Sequence, residues 1–201
     1  MGNLSKTRFS IYATSSKYRR RIVGALRQGG IGGGNYYTIL ESRIFRCENG
    51  VGGLTVFDLP DQMNTARYRN PRLLRQKEDL SNAANKYLSV RGKFEVLGAR
   101  PIRKRYKKYE NFKLAVGPDI VWHTPLGKIH VGFYQDKMDD NRLTRRKADF
   151  ISALLSVGAD NPSLGNLIID LQTGAYFECE NDGSVLMPRV QKFCEEIDAS
   201  L

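Results

Sequence analysis

Three polar residues near the middle of the chain have the types and spacing for chemistry on a phosphate group. Asp119 and the side-chain carbonyl of Gln135 are oxygen ligands of the kind that Mg²⁺ prefers, and Lys137 adds an ammonium group. A divalent ion beside a phosphodiester polarises it and lowers the pKa of a bound water. Lys137 could orient that water or stabilise the charge that develops on phosphorus. We therefore predict Asp119, Gln135 and Lys137 as catalytic residues, with the first two holding Mg²⁺.

Two strands around a tight turn must position these residues. Residues 120–122 are β-formers, and the stretch 125–127 contains Pro and Gly in an arrangement typical of a turn. Residues 129–134 then alternate between apolar side chains and His130, Gly132 and Tyr134, which indicates a strand with one better-buried face. The pattern predicts a β-hairpin over residues 116–137.

The register of this hairpin decides which side chains meet. A turn centred on Gly127 places Asp119 opposite Gln135, and Lys137 then points to the same side of the sheet. The same register predicts an apolar stripe on that face, made by Val121, Val131 and Phe133. It places His130 on the opposite face and His123 nearer the turn, so we interpret both histidines as structural.

Two alternatives to this site stay open. Asp136 could serve in place of Gln135 if a bulge turned its side chain inward. The whole segment could also be an ordinary amphipathic hairpin with polar residues at its open end.

The pairing of Pro118-Asp119 with Gln135-Asp136-Lys137 resembles the motif of the PD-(D/E)xK nuclease superfamily. It is most similar to the D…QxK variant of the Mrr-type restriction endonucleases. The resemblance implies that the Asp and the middle motif residue hold a metal and that the Lys assists phosphodiester hydrolysis. It also points to Glu78 as an additional acidic residue on the preceding helix, although a solvent-facing ion pair explains Glu78 better. Gln135 replaces the usual acidic residue, which removes a negative charge and should weaken metal binding.

The order of elements around the motif supports the resemblance. From residue 71 the patterns predict helix, three strands, helix and strand, which is the αβββαβ order of the superfamily core over residues 71–171. Asp119 falls on the second strand and Gln135 on the third. The predicted fold class is α/β of the α+β type, with a mixed central sheet flanked by helices and a restriction-endonuclease-like core.

The residues before this core are predicted as additions to it. Residues 1–34 form a basic arm, with a short edge strand near Phe9–Tyr12, a helix over 17–28 and a glycine-rich linker from Gly29 to Gly34. Residues 35–201 form a single domain, which opens with a hairpin of strands at 36–47 and 54–59.

Positive charge is concentrated in the first half of the chain. The net charge is +11, but residues 1–111 carry 23 Lys and Arg against 8 Asp and Glu, whereas residues 112–201 carry 9 against 13. This asymmetry favours a polyanionic partner, and nucleic acid, DNA before RNA, fits better than a membrane. A solvated basic surface is the alternative.

The densest basic run is residues 100–111, where tyrosines alternate with cations. Lys and Arg neutralise phosphates, and tyrosines can stack on bases. An exposed basic loop or edge strand is the alternative. The predicted nucleic-acid contacts in this run and on two helices are Arg100, Arg103, Lys104, Arg105, Tyr106, Lys107, Lys108, Arg145, Arg146, Arg19, Arg20 and Arg21.

Composition limits the remaining classes. There is no apolar run long enough for a membrane span and no secretory signal pattern. The three cysteines are widely spaced, without a CxxC pair, which disfavours a structural zinc site and fits a reducing, cytoplasmic setting.

Three functions are consistent with these observations. The first is a metal-dependent nuclease. The second is a nuclease-like protein that has lost catalysis and binds nucleic acid, or that serves in a phage, mobile-element or nucleoprotein assembly. The third is a protein-interaction module whose basic surface meets an acidic partner, which could be another copy of the chain.

Overall fold

The computed structural model describes residues 1–29, 35–65, 77–102, 105–136, 142–157, 163–179 and 185–201. Its helices are α1 (Lys6–Thr14), α2 (Ser16–Arg27), α3 (Asn35–Glu48), α4 (Leu59–Thr65), α5 (Lys77–Arg91), α6 (Arg145–Val157) and α7 (Met187–Ala199). Its strands are β1 (Gly2–Leu4), β2 (Gly98–Pro101), β3 (Arg105–Lys108), β4 (Phe112–Val116), β5 (Ile120–Thr124), β6 (Gly127–Tyr134), β7 (Gly165–Asp170) and β8 (Tyr176–Cys179). Within these residues, each helix is too short or too polar to cross a lipid bilayer.

The strands form two mixed sheets, which confirms the predicted α+β class. The larger sheet has the order β2-β5-β6-β7-β8, in which only β6 and β7 are parallel. The smaller sheet has the order β1-β4-β3, with β1 parallel to β4. The predicted αβββαβ order is present as α5, β2, β5, β6, α6 and β7, with the β3–β4 hairpin inserted after its first strand.

Helices cover both faces of the larger sheet. On one face, α3, α4 and α5 enclose a core that includes Trp122, Val131, Phe133 and Leu167. On the other face, α6 packs against Tyr134 and Ile168 and approaches the sheet closely at Gly132, where a Cβ atom would lie 3.1 Å from Leu155. A second core joins α1, α2, α6 and α7 to the smaller sheet.

The predicted hairpin of strands at 36–47 and 54–59 is wrong, because these residues are helical. Residues 35–48 form α3, and the second segment contains a 3-10 helix (Val56–Asp58) and the start of α4. Leu40, Ile44 and Cys47 are spaced four and three residues apart and are buried together. This segment is rich in β-forming residues, but their preference is weak and packing on a single helix face overrides it.

The first 29 residues pack into the structure, unlike the separate arm that we predicted. β1 pairs with β4, and Phe9 and Ile11 of α1 are fully buried in the second core. The predicted edge strand near Phe9–Tyr12 is therefore wrong, whereas the helix predicted at 17–28 is confirmed as α2. Residues 30–34, most of the predicted glycine linker, lie outside the described residues.

A buried hydrogen-bond network ties α3 and α5 to the larger sheet. The Tyr87 hydroxyl donates to Glu48 Oε1 at 2.7 Å and accepts from the Trp122 indole N–H at 2.9 Å. Arg91 makes hydrogen bonds to both oxygens of Glu48, whose side chain is 1% exposed. The Tyr87 hydroxyl therefore satisfies two buried polar groups at once.

Replacing Tyr87 with Phe should destabilise the protein by about 1–3 kcal/mol, because it leaves the buried indole N–H without its acceptor and removes one of the two hydrogen bonds to Glu48 Oε1. Urea unfolding of the native chain and of Tyr87→Phe measures this loss. Tyr106→Phe is the matched control, since Tyr106 is 43% exposed and should change stability by less than about 0.5 kcal/mol. Equal losses in the two variants would show that the network is not a stabilising one.

Candidate functional site

The turn between β5 and β6 is shorter than predicted. Thr124 pairs with Gly127, so only Pro125 and Leu126 form the loop, and the Thr124 hydroxyl donates to Gly127 O at 2.9 Å. Gly127 has a φ of 143°, a value that favours glycine. This turn shifts the pairing by three residues from the predicted register. An odd shift exchanges the two faces of a strand.

The predicted opposition of Asp119 and Gln135 is therefore wrong. Ile120 pairs with Val131, so Asp119 lies opposite Gly132, and Gln135 is about 10 Å further along the strand. The predicted apolar stripe is also wrong: Val121 lies on the face opposite Val131 and Phe133. The side chains that share a face with those two are Ile120 and Trp122.

The Asp119 carboxylate is held on both of its oxygens. Lys6, from the first turn of α1, donates to Asp119 Oδ1 at 2.7 Å and to Gly117 O at 2.9 Å. The backbone N–H of Phe133 donates to Asp119 Oδ2 at 2.8 Å. The side chains of Lys6 and Asp119 are 9% and 11% exposed, so this is a largely buried ion pair.

The described arrangement does not fit a Mg²⁺ ion held by Asp119 and Gln135. Both Asp119 oxygens already accept hydrogen bonds, one of them from the Lys6 ammonium. Gln135 lies just beyond the end of β6, three residues past the position opposite Asp119, which is too far for the two side chains to bind the same metal ion. Gln135 Oε1 is buried and accepts no hydrogen bond from the described part of the chain. Those residues also contain no group of three or more His, Cys, Asp or Glu that could hold a metal. Lys137 lies outside the described residues.

A cluster of charges lies where the parallel strands β6 and β7 end. Asp136 is 4% exposed and forms an ion pair with Arg8 at 3.6 Å, so its role in this structure is the partner of a cation. Lys147 donates to Arg142 O at 2.7 Å and to the Tyr134 hydroxyl at 3.3 Å. Burial lowers the pKa of Lys147, and the charges of Asp136 and Asp170 oppose that shift.

Asp170 is the other carboxylate of this cluster, and it accepts hydrogen bonds from the loop that follows β7. Its Oδ1 accepts from the N–H groups of Gln172 and Thr173, and its Oδ2 accepts from Leu143 N at 3.4 Å. Burial, reinforced by Asp136 and Asp170, raises the pKa of the Tyr134 phenol. The carboxyl ends of strands in such sheets are the usual position of ligand sites.

His130 shares a face of the hairpin with Asp119, whereas we predicted the two residues on opposite faces. It pairs with Val121, so it shares a face with Gly132 and with the position of Asp119. The side chain is 2% exposed, and burial lowers its pKa, while a hydrogen bond with Asn166 opposes that effect. The structural role of His130 stays a prediction: its imidazole is buried beside Asn166, and its Nδ1 atom has no hydrogen-bond partner among the described residues.

The predicted basic run is divided between the two sheets. Arg100 is exposed on β2, where Pro101 pairs with Ile120, and the run resumes in β3, where Arg105 pairs with Val116. β2 and β3 therefore pair with the two strands that follow and precede Gly117–Asp119 in the sequence. All four residues of β3 are exposed on the edge of the smaller sheet; they are Arg105, Tyr106, Lys107 and Lys108. Arg103 and Lys104 lie outside the described residues.

The predicted contacts on the helices are partly engaged inside the protein. Arg19 covers the rings of Tyr12 and Phe193 and lies 3.8 Å from Glu196, whereas Arg20 and Arg21 are exposed on α2. On α6, Arg145 forms an ion pair with Asp149 at 2.9 Å and donates to Glu178 O, and Arg146 is exposed.

Sequence reasoning missed the cations that hold this site, namely Lys6, Arg8 and Lys147. Lys6 is 113 residues from Asp119 in sequence, so no local pattern could pair them. One signal was available for α1: Ser5 accepts from Arg8 N at 3.2 Å and caps the helix. That signal predicts a helix start at Lys6, but not what the lysine contacts.

No protein-family model matches the chain, and no curated protein matches it. The resemblance to the PD-(D/E)xK superfamily stays a prediction based on the motif and on the order of elements.

Replacing Lys6 with Met should destabilise the protein by about 3 kcal/mol, because the Asp119 carboxylate would stay buried with one oxygen unpaired. The double variant Lys6→Met with Asp119→Asn should lose less than the sum of the single losses, since the two side chains interact directly. Chemical denaturation of all three variants measures this coupling.

The exposed pair of Arg145 and Asp149 provides the control for this measurement. Its side chains are 60% and 35% exposed, so Arg145→Gln should cost less than about 0.5 kcal/mol. A Lys6→Met loss no larger than that of Arg145→Gln would contradict a stabilising role for the buried pair.

Proposed function

We propose that this protein binds nucleic acid through a basic surface that passes on both sides of Asp119. One observation carries the proposal: the three exposed cations of β3 and the exposed Arg100 of β2 lie on strands that pair with the segments immediately before and after Asp119. Cations on both strands can therefore contact phosphates along one groove. Tyr106, 43% exposed between Arg105 and Lys107, supplies a ring on which a base can stack.

Some of the cations are engaged inside the protein and do not form part of this surface. Lys6 and Arg8 are balanced by Asp119 and Asp136, and Arg19 lies over aromatic rings. Exposed cations lie on β2, on β3, on α2 and at the start of α6, and others, such as Lys86 and Lys93, lie elsewhere on the surface. A basic edge strand that only prevents aggregation would not require cations on these other elements as well.

Fluorescence anisotropy with a labelled DNA or RNA duplex and single strand tests the proposal. The logarithm of the affinity should fall linearly with the logarithm of salt concentration. The variant Arg105→Gln with Lys107→Gln and Lys108→Gln should bind more weakly and with a salt slope reduced by about 2–3, one for each lost phosphate contact.

The matched control removes three cations far from Asp119: Lys86→Gln, Lys93→Gln and Lys128→Gln. It changes net charge equally and should keep most of the affinity. If both triple variants lose the same affinity, net charge alone explains binding. If the native chain binds no nucleic acid, the proposal fails and an acidic protein becomes the expected partner.

A metal-dependent nuclease of PD-(D/E)xK type is a second candidate, and the order of elements favours it. The resemblance implies that Asp119 falls on the second strand of the αβββαβ arrangement, and in the structure it immediately precedes that strand, β5. A metal ion at Asp119 would have to bind the carboxylate beside the Lys6 ammonium, through lone pairs that the hydrogen bonds from Lys6 and Phe133 N–H leave free. The role of Mg²⁺ stays a prediction from the resemblance.

Incubation with supercoiled plasmid and with single-stranded DNA and RNA, in Mg²⁺, Mn²⁺ or EDTA, tests this second candidate. A nuclease should cut only with metal, and Asp119→Asn and Lys137→Ala should reduce the rate by about a hundredfold or more. Lys86→Gln should cut like the native chain. Salt-dependent binding without cutting would leave nucleic-acid binding as the function and exclude the nuclease.

A further inference from the structure

A pocket of about 320 Å³ lies between the junction of α1 and α2 and the first turn of α6. Its lining contains no residue of β2 or β3, but it includes Arg146, one of the nucleic-acid contacts predicted from the sequence. Its described lining residues are Thr14, Ser15, Lys17, Tyr18, Thr144, Arg146 and Lys147. This volume is at the lower end of the range for small-ligand sites and is sufficient for a phosphate with its sugar.

The lining is cationic and rich in hydroxyl groups. It contains Lys17, Arg146 and Lys147, and none of its described residues is a carboxylate. Lys147 is 6% exposed and is oriented by hydrogen bonds to Arg142 O and the Tyr134 hydroxyl. The negative charges of Asp136 and Asp170 interact with Lys147, but Asp136 also forms an ion pair with Arg8. Positive charge therefore exceeds negative charge around the pocket.

The start of α6 adds to this excess. Residues 145–147 are all cations, and the first turn contains no acidic residue. Cations at a helix N-terminus oppose the macrodipole, so these three cations are unfavourably placed. An anion bound in the pocket would interact favourably with the cations and with the helix end together.

We propose that this pocket binds a phosphate group of a nucleic acid. Guanidinium and ammonium groups from two elements suit phosphate oxygens, and Arg146 can form a bidentate pair with them. This inference rests on the proposed function, because it identifies one phosphate of the same ligand. α1 sets the spacing: Lys6 at its start contacts Asp119, and Thr14 at its end lines the pocket, about 12 Å away by helical rise.

The test compares single-stranded DNA of about ten nucleotides with a 5′-phosphate or a 5′-hydroxyl, at fixed ionic strength. Binding is measured by anisotropy for the native chain, for Lys17→Gln with Arg146→Gln, and for Lys86→Gln with Lys93→Gln. The second pair removes two cations away from the pocket and serves as the control. Circular dichroism confirms that each variant is folded.

The expected result is a roughly tenfold or greater loss of affinity in the pocket variant only, as expected for charged hydrogen bonds to phosphate. If the native chain prefers the 5′-phosphate and the pocket variant loses that preference, the pocket holds a terminal phosphate. If the pocket variant binds both DNAs equally weakly, the pocket holds an internal phosphodiester.

Two other outcomes overturn the inference and are distinguishable. Native affinity in the pocket variant, together with salt-dependent binding by the native chain, would refute the pocket and leave the proposed function intact. Absence of binding by the native chain to either DNA would refute both.

Discussion

The carboxylate of Asp119 connects parts of the chain that are otherwise distant. It lies where the chain passes from β4 in the smaller sheet to β5 in the larger one, accepts a hydrogen bond from the backbone of β6, and forms a buried ion pair with Lys6 of α1. A buried carboxylate requires such partners, because desolvation of an unpaired charge is costly. The packing of the first 29 residues, the junction of the two sheets and the candidate site therefore depend on one interaction.

The two-residue turn after β5 sets the register of the central hairpin. Pairing of Thr124 with Gly127 determines the face of every side chain on β5 and β6, and it separates Asp119 from Gln135. The motif that resembles a nuclease is thus present in sequence, while its two predicted metal ligands do not meet in the described structure. The carboxyl ends of β6 and β7 carry the ion pair of Arg8 with Asp136 and the hydrogen bond of Lys147 to Tyr134 rather than an open metal site.

Positive charge is used in two ways. Lys6, Arg8, Arg19 and Lys147 are engaged with carboxylates, carbonyl groups or aromatic rings inside the protein. Exposed cations lie on β2 and β3, whose strands pair on either side of Asp119 in sequence, around the pocket at the start of α6, and at scattered positions such as Lys86 and Lys93. The strand surface and the pocket are joined by α1, so a single polyanion about the length of that helix could contact both. The net charge of the chain does not reveal this division, because it counts buried and exposed cations alike.

The sequence by itself predicted the α+β class, the helix α2 and the last helix and strand of the proposed core, α6 and β7, because these depend on local periodicity and on turn residues. It missed the β3–β4 hairpin, which lies within the predicted αβββαβ order. It failed for α3, where β-forming residues at Leu40 and Ile44 pack along one helix face, and for α1. Only the tertiary structure decided the hairpin register, since a change of a single loop residue exchanges the faces. It also decided the pairing of Lys6 with Asp119 and the pocket between α1, α2 and α6, because contacts between distant segments leave no periodic trace in the sequence.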